Sequence, residues 1–237
     1  MFYRDVMPVD PTRHGDLKLG PVTDFSFANT MHALPVVGFE FIDAMRDYPI
    51  VFAVDENGAY LPTVMLGMRA DENLFVDAEG HWQARYIPLY ISRYPFVTSE
   101  TPDNQAVVCI DEAAIESLKR DDGMPVFEDG KPSERMKQIA QTLFALRDDA
   151  KRCAEWSKEL ADAGLFKQVS ASAELPGGEN ISMDGMFVID DEKLRKLPKE
   201  TAYKWFANGL MSLIYAHLFS LRNLDVLVDR LQKKTAA

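Results

Sequence analysis

Residues 199–233 contain no proline and one glycine, Gly209, and within them Tyr203, Phe206, Leu210, Leu213, His217, Ser220, Leu224, Leu227 and Leu231 recur at alternating spacings of three and four. That spacing places all nine on one stripe of an α-helix, so the chain is predicted to end in a long amphipathic helix. Such a helix draws its stability from covering an apolar surface rather than from its own propensity. The rest of the chain has to supply that surface.

The first half supplies it with period-two segments separated by turns. Residues 23–27 (Thr-Asp-Phe-Ser-Phe) alternate polar with aromatic and are predicted to form a strand. Residues 49–54 are apolar and β-branched, Asp55-Glu56-Asn57-Gly58 follows as a turn, and residues 60–68 resume extended, which predicts a hairpin. Asp77-Ala78-Glu79-Gly80 predicts a second hairpin turn, joining residues 73–76 to a long aromatic segment at 81–96; residues 106–110 read as another strand. Between them, residues 38–47 read as a short helix ended before Pro49.

Beyond residue 110 the period changes. Asp111 is placed to cap a helix over residues 111–119, and Glu128-Asp129-Gly130 reads as a tight hairpin. Ser133 starts a helix to about residue 147, a further helix runs over about 149–163, and Gly164 stops it. Residues 170–182, with Pro176-Gly177-Gly178, read as a mobile loop; residues 183–189 return as a strand, and Asp190 caps a short helix before Pro198. The expected architecture is α+β and a single domain over 1–237, β-rich over 1–110 and mainly helical over 111–237.

Charge and hydropathy exclude several classes of function. With 26 basic against 37 acidic residues the formal net charge is −11, which repels phosphate backbones, and Lys233-Lys234 is too short a basic run to offset it; no nucleic-acid partner is expected. The longest nearly apolar run, residues 209–219, falls short of the roughly 20 residues a membrane span needs. The N-terminal residues lack the basic and apolar regions of an export signal, and two cysteines, Cys109 and Cys153, are too few for a disulfide framework, so a cytoplasmic setting is expected. Arg152 beside Cys153 is a weak pointer to a reactive thiol.

No Gly-x-Ser-x-Gly, phosphate-loop, dinucleotide-binding or His-Glu-x-x-His motif occurs, and the four histidines are unpaired in sequence, so no motif implies a cofactor or a metal. The densest chemistry lies in residues 67–96, where Trp82, Tyr86, Tyr90 and Tyr94 stand beside Arg85 and Arg93. Aromatic rings with polar edges plus guanidinium groups suit a ligand or peptide groove. The alternative is a packed core with its arginines paired to Asp71, Glu72 or Asp77. His217 and Ser220 share one helical face, either as a general base or ligand anchor with its partner, or as hydrogen-bonded core residues. Glu40, flanked by Phe39 and Phe41, is the third candidate: a carboxylate with a raised pKa if buried, or one paired with Arg46 or Arg93.

Phe39-Glu40-Phe41, Tyr48-Pro49-Ile50-Val51-Phe52, Glu72-Asn73-Leu74-Phe75-Val76-Asp77, Tyr86-Ile87-Pro88 and Arg93-Tyr94-Pro95-Phe96 occur here in order. Cys109-Ile110-Asp111 and Tyr215-Ala216-His217-Leu218, with Ser220 and Asn223, complete an ordered set that resembles the SapC family over nearly the whole chain. Ser92 departs from it, since the family usually carries a second arginine before Arg93. The resemblance implies a bacterial family named after a surface-layer gene cluster, with no established catalytic activity and with gene neighbours suggestive of peptide or protein modification. The leading expectation is a non-catalytic binding or accessory protein for a protein or peptide partner, using the aromatic–arginine segment. The alternative is an enzyme using Glu40, His217 and the arginines in a pocket between the β-rich part and the terminal helix. A third reading is a structural component of a cell-surface assembly, which the missing export signal disfavours.

Overall fold

Gly58 sits at φ +80°, and the Asp55 carboxylate accepts from the amides of Asn57 (2.9 Å) and Ala59 (2.8 Å), so the turn anticipated at Asn57-Gly58 closes a hairpin. The computed structural model describes residues 2–103, 105–174, 178 and 180–236. In chain order the strands are β1 (Val6–Pro8), β2 (Lys18–Leu19), β3 (Ala33–Pro35), β4 (Ile50–Val54), β5 (Tyr60–Met65) and β6 (Phe96–Glu100). They continue as β7 (Ala106–Asp111), β8 (Met124–Pro125), β9 (Phe127–Glu128), β10 (Lys131–Pro132), β11 (Phe166–Glu174) and β12 (Asn180–Ile189). The α-helices are α1 (Pro11–His14), α2 (Phe41–Ala44), α3 (Leu89–Ser92), α4 (Ile115–Leu118), α5 (Glu134–Asp162), α6 (Asp191–Leu194), α7 (Lys199–Ala207), α8 (Leu210–Ser220) and α9 (Asn223–Ala236).

The architecture is α+β, with a sheet-rich first half and a helical end. A five-stranded antiparallel sheet runs in the order β11-β12-β4-β5-β3, and a three-stranded one in the order β1-β7-β6. Helix α5 contacts β5 of the first sheet and β6 and β7 of the second. Its 29 residues span about 43 Å at the α-helical rise, enough to reach across both. Ser133 anchors its start: the hydroxyl accepts from the Met136 amide (3.1 Å) and donates to the Pro125 carbonyl (2.6 Å). Tyr48, Ile50, Val64, Leu66, Phe75 and Ile91 lie at the centre of the largest apolar cluster.

Several local expectations are corrected by interactions between distant segments. Residues 23–27 are not a strand, because the Asp24 carboxylate takes the Ser26 amide (2.8 Å) and turns the chain into a 3-10 turn at Ser26–Ala28. The second hairpin turn forms at Asp77, but pairing stops at one bridge, Val76 to Trp82, and the chain then runs irregularly into α3. The two helices expected over 133–163 are one, since Asp149 lies buried on α5 and accepts from the Phe39 amide (3.1 Å) instead of capping a new helix. The loop expected over residues 170–182 is strand at 170–174 and 180–182; Pro176 and Gly177 lie outside the described residues.

The helical terminus is present and ends in the 14-residue α9, with breaks at Gly209 and at residues 221–222. Gly209, at φ +86°, is the N-cap of the next helix, and the Asn208 side chain accepts from the Leu210 amide (3.1 Å) at the junction. The break re-aims the stripe. From Leu210 onward its residues face inward, whereas Tyr203 and Phe206 on α7 are 74 % exposed and Trp205 packs inside instead.

Candidate functional site

The aromatic segment is set in place by a chain of hydrogen bonds that begins at Tyr48. The Trp82 indole donates to the Tyr48 hydroxyl (2.8 Å), which donates to the Tyr86 carbonyl, while the Tyr86 amide donates to Asp47 (3.0 Å). The Tyr86 hydroxyl then donates to Glu40 Oε1 (2.6 Å). Glu40 is buried and has no ion-pair partner among the described residues, so neither anticipated ion pair, with Arg46 or Arg93, forms. Three neutral donors hold it: the Tyr86 hydroxyl, the Leu89 amide (2.8 Å) and the Val37 amide (3.2 Å). Burial pushes the Glu40 carboxyl above the usual range, outweighing those hydrogen bonds, and Asp149 pushes the same way. Burial and then the Glu40 charge raise the Tyr86 phenol in turn.

Glu40 thereby fixes the start of α3, which forms one wall of a groove of about 450 Å³. The groove lies between residues 19–22, residues 92–96, β8 and the first three turns of α5. Its lining is mostly apolar, with Leu89, Phe96, Met124, Ile139 and Leu143 among its walls. Among the described residues no Asp or Glu lines it, in a chain that carries 37 of them, whereas two arginines, Arg93 and Arg135, do.

Arg93 is half-buried with its Cζ 4.2 Å from the Tyr90 ring centroid and 5.8 Å from that of Tyr3, a cation–π seat. It makes no ion pair among the described residues, and its buried Nε has no acceptor. Among the described residues neither Arg85 nor Arg93 pairs with Asp71, Glu72 or Asp77: Asp77 instead contacts His81 (3.5 Å) and Gln83 (2.6 Å), and Glu72 faces Lys234 (3.7 Å). Burial raises the Tyr3 phenol to about 12 against the lowering effect of Arg93. Tyr94 lines the groove, stacks on Phe27 (4.4 Å) and donates to Asp111 (3.3 Å); burial and then Asp111 raise its phenol to about 12. Trp82 and Tyr86 are tied into the scaffold behind the groove, and Arg85 is exposed with no partner among the described residues.

His217 and Ser220 stand apart from this groove. Strands β12 and β4 pair only at Phe187–Phe52. Two residues along, the imidazole of His217 fills the seam: Nε2 accepts from the Ile189 amide (3.0 Å), and Nδ1 lies 2.8 Å from the Ile50 carbonyl. Those partners fix the neutral Nδ1–H tautomer and use both ring nitrogens. Ser220 accepts from the Ile50 amide (2.9 Å) and donates to the His217 carbonyl (2.6 Å). Both side chains are fully buried, and burial lowers the His217 pKa to about 4. A sealed imidazole with both nitrogens engaged leaves no atom for a substrate.

The thiols are inert by the same reasoning. Cys153 accepts from the Gly38 amide (3.1 Å), Arg152 pairs with Asp149, and burial and then the Asp149 charge push the thiol up to about 12. Among the described residues no His, Cys, Asp or Glu cluster is arranged to hold a metal, and no helix is long and apolar enough to cross a membrane.

Sequence reasoning singles out Arg93 and Tyr94, which line this groove, and passes over its opposite wall. Arg135, Gln138 and Thr142 look like ordinary surface positions of an amphipathic helix, and residues 19–22 carry no periodic signal. Only the approach of α5 to β6 and β8 makes them neighbours of Arg93. No curated protein and no solved structure matches the chain. The SapC family model matches residues 9–227 of the 237, the span that includes the groove, the β4–β12 seam and nearly all of the secondary structure. The chain belongs to the SapC family.

Proposed function

We propose that this protein is a non-catalytic binding protein that engages a protein or peptide partner in the groove between residues 92–96 and helix α5. The observation that carries the reading is a guanidinium seated on aromatic rings, without an anion among the described residues, in the wall of an apolar groove. A buried or half-buried cation is normally compensated by a carboxylate of its own chain, so an uncompensated one supports recognition of something external. The two cysteines are buried and unpaired, in keeping with a reducing compartment such as the cytoplasm.

The test uses a photo-crosslinking amino acid placed at Thr142, on the groove face of α5, and separately at Lys151, nine residues on and so on the opposite face of the same helix. A defined protein adduct in cells from position 142, absent from 151 and diminished by Arg93→Ala, is the expected result. Equal labelling from both positions, or none from 142, removes the groove as the contact surface.

A further inference from the structure

We infer that the groove selects an acidic–apolar peptide segment, in which carboxylate side chains meet Arg93 and Arg135 while neighbouring aliphatic or aromatic side chains fill the apolar walls. This rests on the groove being the contact surface, and it specifies the chemistry of the occupant.

Charge complementarity carries the inference. The chain carries 37 acidic against 26 basic residues, yet none of the acids lines the groove among the described residues. Both of its cations lack a carboxylate partner among the described residues: Arg93 rests on Tyr90, and Arg135 makes only a 3.2 Å contact to the Gln138 amide oxygen. Some other arginines of the fold are paired with acids, as Arg13 is with Glu112 at 2.7 Å and Arg147 with Asp148 at 3.2 Å. An arginine supported from behind by an aromatic face loses little freedom on meeting a carboxylate, and a charged hydrogen bond beside an apolar wall is stronger than one in open water. Two cations on one apolar groove call for a ligand that alternates anionic with apolar groups. The polar residues Gln138 and Thr142 occupy the same face of α5 and offer neutral hydrogen bonds to the segment between. A basic or purely apolar segment would leave both guanidinium groups without an anion, the first by repulsion and the second by desolvation.

The experiment is a selection from a phage-displayed library of random nonapeptides on the intact purified protein, followed by solution affinities for the enriched sequences. The expected outcome is enrichment of Asp or Glu flanked by Leu, Ile or Phe. Replacing the peptide's acids by their amides should weaken binding about tenfold for the protein as it stands, and that discrimination should collapse in Arg93→Gln. Because Arg93 also packs on Tyr90, Arg135→Gln serves as a second variant at an exposed position, with thermal unfolding confirming that both variants fold. If enriched peptides bind equally well as acids and as amides but are displaced by Thr142→Trp, which fills the groove, the groove reading stands and carboxylate selection is overturned. If nothing is enriched, or if Thr142→Trp leaves the affinities unchanged, the groove reading itself fails.

Discussion

Ile50 has both of its backbone groups satisfied by side chains of one helix, its amide by Ser220 and its carbonyl by His217. The imidazole also takes the Ile189 amide, so one ring replaces a rung of the ladder where β12 and β4 separate. Replacing His217 by alanine strands two buried backbone groups and opens a void, and should destabilise the fold by roughly 3–5 kcal/mol. Ser220→Ala strands only the Ile50 amide and should cost about 1–3 kcal/mol. Urea unfolding of the two variants checks the order; an undisturbed midpoint for His217→Ala would show that the seam does not depend on the ring. Sequence placed His217 and Ser220 on one helical face and left their role open between catalysis and packing. That choice depends on which atoms occupy the ring nitrogens, and those belong to strands lying 28 and 167 residues away. The same holds for Glu40: sequence left it open between a buried carboxyl and an ion pair, and Phe39 beside it is itself exposed, while its donors come from the Tyr86 hydroxyl and the Leu89 amide, which no local pattern announces.

At the scale of elements, signals that act locally survived folding and those that depend on partners did not. Asn57-Gly58, Glu128-Asp129-Gly130, Ser133, Gly164 and Asp190 all mark real boundaries, because each residue type satisfies a backbone requirement within its own turn. The break at residues 221–222 has no such residue; it is stabilised by Asn223, whose amide donates to the carbonyls of Met45 (2.8 Å) and Tyr48 (3.0 Å). The break at Gly209 is different, because a glycine at φ +86° is a backbone requirement, and no atom lies within 4 Å of where a Cβ would stand. Any loss on substitution there is therefore conformational and not steric. Gly209→Ala should cost about 1–2 kcal/mol, and Gly209→Asn, which tolerates the left-handed region, clearly less. Chemical denaturation of both variants tests this; equal losses would mean that the helix junction does not hold the left-handed turn. Ser133→Ala, at the head of α5, should lose about 1 kcal/mol with its cap. It should also loosen the Pro125 end of the groove, which amide exchange in β8 and its flanks would detect.

At the scale of the whole molecule, stability responds to pH through two buried groups that act in opposite directions. The His217 pKa falls from 6.5 to about 4 in the folded chain, so between those values the unfolded chain takes up a proton that the folded chain refuses. Its contribution is complete above pH 6.5 and is lost as pH falls toward 4; at about 1.4 kcal/mol per pH unit the loss is roughly 3 kcal/mol. Glu40 is raised above its ordinary 4.5, so above that pH the unfolded chain ionises while the folded one resists, and stability is lost as pH rises through the folded value. A net charge of −11 at pH 7 adds a general self-repulsion that fades on acidification and would obscure either effect in the parent protein alone. Differences between parent and variant cancel that background. The destabilisation caused by His217→Ala should therefore shrink from pH 7 to pH 4, because the variant has no imidazole left to protonate. The destabilisation caused by Glu40→Gln should shrink in the other direction, as pH climbs from 4.5 and the parent bears a carboxylate that its site disfavours. Thermal or urea unfolding at several pH values measures both. Parallel curves for His217→Ala and the parent would mean that the imidazole is not held neutral in the seam, and a Glu40→Gln penalty that grows with pH would mean that the donors around Glu40 outweigh its burial.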